Sequence, residues 1–238
     1  MSVFGDVQKS FVVGFFRKLF RVKIINPENE PLDGAVGAYV ACINHSSNWD
    51  PILIGACMHR PLRYMAKSEL FKVPVLKSLV RLFGAYPVKR ETADIGAVKA
   101  TIGILENGEI VGMFPGRRAK KIHPEKVTPK NGVAMVAYKA KTGILPITII
   151  SKGYKVRMFR RTIVVFGEYI PYGELEKMAE TEKTEKTEKT EKEGGGVGNI
   201  ELYKKITDRV YGVILENYEK YDTVNKSKMR KNCGGSNS

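Results

Sequence analysis

The residues best able to do chemistry lie in one short run, Asn44-His45-Ser46-Ser47-Asn48-Trp49-Asp50-Pro51. A histidine and an aspartate stand five positions apart. A carboxylate beside an imidazole fixes one tautomer and stabilises the cation, which leaves the other ring nitrogen as a base. The pair therefore suits a reaction in which a hydroxyl or water must lose a proton. The competing assignment is purely structural: an aspartate before a proline is a good helix N-cap, and His45 could be an ordinary loop histidine.

The flanking elements would bring the pair together. Ala38–Ile43 is an unbroken apolar run and reads as a buried strand. Ile52–Met58 reads as a helix, with Asp50 at its N-cap and Pro51 in its first turn. Further along, Leu62–Ala66 reads as a strand, Ser68–Leu82 as helical pieces, and Gly84–Arg90 as a short strand ending in the basic pair Lys89-Arg90. Thr92–Asn107 reads as an amphipathic helix and Ile110–Phe114 as a buried strand that runs into Pro115-Gly116-Arg117-Arg118-Ala119-Lys120-Lys121. A helix over Asn131–Lys141, a strand over Ile144–Ile150, an edge or terminal strand over Thr162–Ile170 and a closing helix over Ile200–Tyr221 complete the pattern. Strands alternating with helices predict an α/β fold: a single domain with a largely parallel central sheet flanked by helices. The dyad turn and the two basic turns then fall just after strands, where open α/β sheets hold ligands.

The expected organisation has five parts. Residues 1–25 mix bulky aromatics with lysine and arginine, as an amphipathic membrane-interface helix does, although the same stretch could pack on the core. Residues 26–173 form the α/β domain. Residues 174–199 hold four copies of Thr-Glu-Lys followed by glycines and read as a low-complexity linker or solvated helical extension. Residues 200–224 form a C-terminal helix on the domain, and 225–238 a disordered polar tail.

The chain has 238 residues, enough to bury a full core, and a formal net charge of +15. That charge favours polyanionic partners: nucleic acid, anionic lipid or phosphorylated substrates. No RNA-binding signature is visible and the aromatics concentrate at the N-terminus, so no nucleic-acid partner is expected. The three cysteines, Cys42, Cys57 and Cys233, have neither disulfide nor metal-ligand spacing, and the three histidines lack ligand spacing too, so no metal site is expected. A reducing compartment fits best. Neither a signal peptide nor a spanning segment is apparent.

Four blocks together resemble the glycerolipid acyltransferases, the group that contains 1-acylglycerol-3-phosphate acyltransferase. Asn44-His45 with Asp50 is similar to the first block of that family, Gly84–Arg90 to the second, Phe114–Ala119 to the third and Leu145-Pro146-Ile147 to the fourth. The resemblance covers roughly residues 10–170. It implies transfer of a fatty acyl group from an acyl-CoA or acyl carrier protein thioester to the free hydroxyl of 1-acylglycerol-3-phosphate, giving phosphatidic acid, without a further cofactor; the alternatives are an acyltransferase for another lysophospholipid and a catalytically impaired lipid-binding homologue. His45 would be the general base and Asp50 its orienting partner. Asn44, Lys89, Arg90, Gly116, Arg117 and Arg118 would bind substrate: the arginines would hold the acceptor phosphate through bidentate charge-assisted bonds, and Gly116 would allow close backbone approach. Backbone amides around these turns, or a bound water, would serve the oxyanion. The resemblance also implies a peripheral or monotopic place on the cytoplasmic face of the cell membrane, against an anionic surface. Lys89-Arg90 could equally be solvent-facing charges, Arg117–Lys121 an interfacial patch, and Pro146 an edge-strand marker. The third block departs from the family pattern Phe-Pro-Glu-Gly-Thr-Arg-Ser. It lacks the glutamate between Pro115 and Gly116, and Arg117 stands where threonine is common. Lys89 also replaces an acidic residue often found in the second block. A more cationic pocket, suited to a more anionic acceptor, would result.

Overall fold

The computed structural model describes residues 13–32, 36–67, 71, 72, 77, 81, 84–88, 95–116, 118, 121–187 and 197–225. Seven strands form one sheet: β1 Val22–Ile25, β2 Tyr39–Ile43, β3 Leu62–Lys67, β4 Ala85–Val88, β5 Ile110–Met113, β6 Gly143–Ser151 and β7 Thr162–Phe166. Their order across the sheet is β1-β7-β6-β2-β5-β3-β4. Every pairing is parallel except that of β6 with β7, which is antiparallel. The expected largely parallel α/β domain is what the chain forms.

The helices are α1 (13–19), α2 Asp50–Gly55, α3 Ile95–Glu106, α4 Gly132–Lys139, α5 Tyr172–Thr187 and α6 Val197–Tyr221. Successive residues of β2 face opposite sides of the sheet. Tyr39, Ala41 and Ile43 pack with Phe16 and Phe20 and with Ile52, Leu53 and Ile54 of α2. Val40 and Cys42 pack with α4, α5 and α6 through Val136, Leu175, Ile206 and Val210. With both faces covered, the central strands have no polar side and read as continuous apolar runs. Gly84 turns the chain into β4 at φ +75°, and a Cβ there would sit 2.1 Å from the Leu62 carbonyl oxygen, so only glycine fits.

Two expectations change. Residues 1–25 do not form a single interfacial helix. The first twelve lie outside the described residues, α1 packs on the core, and residues 22–25 are strand β1. Phe16 and Phe20 are buried, and Arg17 donates to the carbonyls of Ala56 and Cys57, closing the end of α2. Second, β7 is not at the edge. β1 runs beside it, from Val22 opposite Thr162 to Ile25 opposite Val165, which is why Thr162–Phe166 is buried throughout. The 174–199 stretch takes the second of its two expected forms, a helical extension, through Thr187. Leu175 and Ala179, one turn apart, are buried in the core and anchor α5, and glutamate and lysine are good helix formers that carry it onward. Pro146 is also no edge marker, since β6 lies between β7 and β2. Most of the helix expected over 68–82 lies outside the described residues.

Candidate active site

β2, β5 and β6 run in one direction and deliver the loops after Ile43, Met113 and Ser151 to the same edge of the sheet. Asn44 continues β2 with its side chain. Its Nδ2 donates to the Ile149 carbonyl at 3.0 Å, and its Oδ1 accepts from the Ile149 amide at 2.7 Å. The carboxamide thus replaces the next rung of the ladder and fixes where the chain leaves the sheet. Both polar atoms of the Asn44 side chain are committed to Ile149, so it positions His45, and the residue also lines the pocket beside that ring. Asn44→Ala leaves both backbone groups of Ile149 without their partner. It is expected to cost about 1–3 kcal/mol of stability, read as a lower denaturation midpoint, with turnover lowered more through kcat than through KM.

His45 Nδ1 lies 2.9 Å from Asp50 Oδ2. The same oxygen accepts from the amides of Ser46 at 2.6 Å and Ser47 at 2.7 Å, and Asp50 Oδ1 lies 3.4 Å from the Ser46 hydroxyl. Asp50 therefore faces backward into the loop. It is the first residue of α2, after Trp49 as N-cap, and not the cap expected from Asp-Pro. Its carboxylate is fully buried, while the His45 side chain is 17% exposed. An acceptor-only carboxylate against Nδ1 assigns the proton to Nδ1 and leaves Nε2 as the basic atom on the opposite edge of the ring. The ring stacks on Phe114, with centroids 4.0 Å apart and planes 26° apart, and Phe114 stacks in turn on Tyr64. Asp50 sets the rotation of the imidazole and Phe114 its plane.

A pocket of about 440 Å³, counting the solvent at its mouth, opens beside this ring. Asn44, His45 and Ser46 form one wall, Pro115 and Gly116 another, and Tyr154, Tyr211 and Tyr218 the far side. Gly116 stands at φ +159°, a conformation that favours glycine, while a Cβ there would meet only Thr128 O, at 3.7 Å, so the space beside it is open. That agrees with space kept for a ligand rather than for packing. Arg118 donates through Nη1 to Asn48 Oδ1 and ties the third-block loop to the dyad loop. One of its five N–H donors is used in that bond. Lys89, Arg90 and Arg117 lie outside the described residues.

Cys42 and Cys57 are buried, and burial pushes both thiols up to about 12. Neither supplies a thiolate near neutral pH, so the basic atom at the pocket is the imidazole. Among the described residues no group of three or more histidine, cysteine or acidic side chains is placed to hold a metal ion. Several residues that build the site carry no local sequence signal. Tyr211 and Tyr218 come from α6, far along the chain. The Tyr211 hydroxyl donates to Pro124 O at 2.9 Å and fixes the loop that closes the pocket, and burial pushes its own pKa up to about 12. The Ser46 and Ser47 amides and the Phe114 face are legible in the sequence only as neighbours of the motif residues.

An open, mostly parallel α/β sheet that holds a buried-carboxylate His–Asp pair at its C-terminal edge is arranged for general-base chemistry. Comparison with known proteins makes this specific: residues 21–150 match the family model described as Acyltransferase, and the chain belongs to that family. The 1-acyl-sn-glycerol-3-phosphate acyltransferase of Bacillus subtilis (strain 168) is 37% identical over 127 residues, 52% of this chain and 60% of that protein. The enzyme of the same name from Streptococcus pneumoniae is 32% identical over 147 residues, 59% of this chain and 53% of that one. The chain thus matches a little over half the length of these curated relatives. The crystal structure of the 1-acyl-sn-glycerophosphate (LPA) acyltransferase PlsC from Thermotoga maritima superposes with a TM-score of 0.56 at 19% identity. It covers 92% of this chain and 83% of that one, and so shares the fold.

Proposed function

We propose that the chain transfers a fatty acyl group from an acyl-CoA or acyl carrier protein thioester to the free hydroxyl of 1-acylglycerol-3-phosphate, giving phosphatidic acid for phospholipid synthesis. One observation carries this reading: a base whose second nitrogen is held at 2.9 Å by a buried carboxylate stands at the mouth of a pocket bounded by the third-block loop. The names of the relatives above support the acceptor.

His45 Nε2 takes the acceptor hydroxyl proton as the oxygen attacks the thioester carbonyl. Asp50 holds the resulting imidazolium in place. Collapse of the tetrahedral oxyanion expels the thiol, which leaves with the proton from Nε2, so the base is restored without a covalent acyl-enzyme. Arg118, with Lys89, Arg90 and Arg117, supplies the cations for the acceptor phosphate. The acceptor is a membrane lipid, so this reading places the chain at the cytoplasmic face of an anionic membrane.

The test is product formation from labelled lysophosphatidate with each thioester donor, beside an uncharged monoacylglycerol as competing acceptor. Lysophosphatidate is expected to be the faster substrate. Arg118→Ala is expected to raise its KM by about tenfold to a hundredfold, the worth of a hydrogen bond to a charged group, while leaving the uncharged acceptor almost unaffected. Faster acylation of the uncharged lipid by the unaltered chain would overturn the acceptor assignment. The missing third-block glutamate favours one second reading, a catalytically impaired homologue that binds lipid, and absence of product with every lysophospholipid acceptor would select it.

A further inference from the structure

The connection between β6 and β7, residues 152–161, carries Lys152, Lys155, Arg157, Arg160 and Arg161 and no carboxylate. Between these cations Met158 is 43% exposed and Phe159 is 72% exposed. The loop is firmly held. Its ends pair through Ser151 and Thr162, and Val156 is buried in the main core. Tyr154 packs edge-on to His123 and against Tyr218, and the Phe159 amide donates to Leu19 O at 2.7 Å. Phe159 itself has φ 60°, a left-handed conformation that a bulky aromatic adopts only at a cost. A scaffold anchored at four points thus holds an aromatic ring in water in a strained backbone, where it gains nothing for folding.

The surroundings repeat the chemistry. Leu19, which receives the Phe159 amide, belongs to α1. One helical turn earlier on the same helix face stands Phe15, 54% exposed. Lys18, Arg21 and Lys23 are exposed nearby in sequence, and no described carboxylate forms an ion pair with them or with the exposed cations of the loop. The loop is also continuous with the candidate active site, because Ser151 and Tyr154 line the pocket beside His45.

We propose that the β6–β7 loop, through Met158 and Phe159 with their flanking arginines, and the adjoining Phe15 edge of α1 form a docking surface for an anionic lipid bilayer. Two apolar side chains at the tip enter the headgroup boundary while the arginines on either side neutralise lipid phosphates. The loop lies on the sheet edge that bears the pocket, so docking turns the mouth beside His45 toward the lipid. This inference rests on the membrane reading under Proposed function and assigns the contact to a folded loop. It does not depend on which lysolipid is acylated.

The test is partitioning of the full chain onto vesicles of phosphatidylglycerol and phosphatidylcholine, and onto vesicles of phosphatidylcholine alone. The unaltered chain is expected to bind the anionic vesicles preferentially. Phe159→Ser is expected to weaken that binding about tenfold, the value of burying one aromatic side chain. Each of Arg157→Gln, Arg160→Gln and Arg161→Gln is expected to weaken it about fivefold, and less at high salt. These positions are exposed, and unchanged melting temperatures would show that the variants fold. Phe159→Trp gives a second readout: lipids brominated along the acyl chain are expected to quench its emission beyond the quenching of Trp49 in the unaltered chain. Equal binding by Phe159→Ser and the unaltered chain, or a tryptophan at 159 that stays unquenched on bound protein, would overturn the inference. So would a dimer that Phe159→Ser converts to a monomer with vesicle binding unchanged, since the patch would then be a contact between two copies. Turnover of a short-chain, sub-micellar lysophosphatidate separates the two readings. If it is absent while vesicle binding still depends on Phe159, the acyl-transfer reading fails and the docking surface stands.

Discussion

His45→Ala is expected to lower kcat for the proposed acyl transfer by about a thousandfold, within the range that positioned general bases contribute. KM for either substrate should change by no more than severalfold, because the cations proposed for the phosphate belong to other loops. The fold should survive. The His45 side chain contributes one of three donors to Asp50 Oδ2, and the two backbone amides remain after its loss. Phe114 loses a stacking partner on one face and keeps Tyr64. The measurement is single-turnover acyl transfer from a radiolabelled thioester, beside a thermal melt. Restored turnover on adding imidazole would identify the missing group as the base itself. A variant that melts normally and turns over at more than about a tenth of the original rate would remove His45 from the chemistry, because a general base contributes more than that.

How far such a residue could be found in the sequence depends on how local its constraints are. Asn44, His45 and Asp50 stand within one strand-to-helix turn, so their proximity follows from chain length and the buried strand before them. Even so, the capping rule misleads at Asp50. Asp-Pro is a common helix entry, and only the three-dimensional path shows that the carboxylate turns back to two amides and an imidazole rather than forward to the free amides of α2. β1 was illegible for a related reason. Val22-Lys23-Ile24-Ile25 follows a helix directly and holds its extended form because β7 offers an unpaired edge, an interaction more than a hundred residues away in sequence. The α5 helix continues into a stretch whose composition points to a linker, because buried Leu175 and Ala179 nucleate it from the core side. The far wall of the pocket, Tyr211 and Tyr218, looks in sequence like the inward face of any amphipathic helix, and only the crossing of α6 over β6 brings it to the site.

The three bonds converging on one oxygen of Asp50 set up the other large effect. In Asp50→Asn the carboxamide oxygen must occupy the Oδ2 position, because both the Ser46 and Ser47 amides can only donate. From there it still accepts from His45 Nδ1–H, so the tautomer that leaves Nε2 basic is retained. The amide nitrogen falls where Oδ1 meets the Ser46 hydroxyl, a group that can accept. Asparagine should therefore keep both fold and geometry and remove only the negative charge that opposes the imidazolium as it forms. A loss of about a hundredfold in kcat is expected, the low end for a base that has lost its electrostatic partner, with little change in melting temperature. Asp50→Ala behaves differently. It strands two amides in a site where residue 50 has no exposed surface, and each unsatisfied donor costs about 1–3 kcal/mol. That variant should lose activity and melt well below the parent. The two variants together separate the roles of one side chain: turnover at parental rate in Asp50→Asn, with a depressed melt in Asp50→Ala, would mean that the carboxylate only holds the loop and that His45 works without its charge.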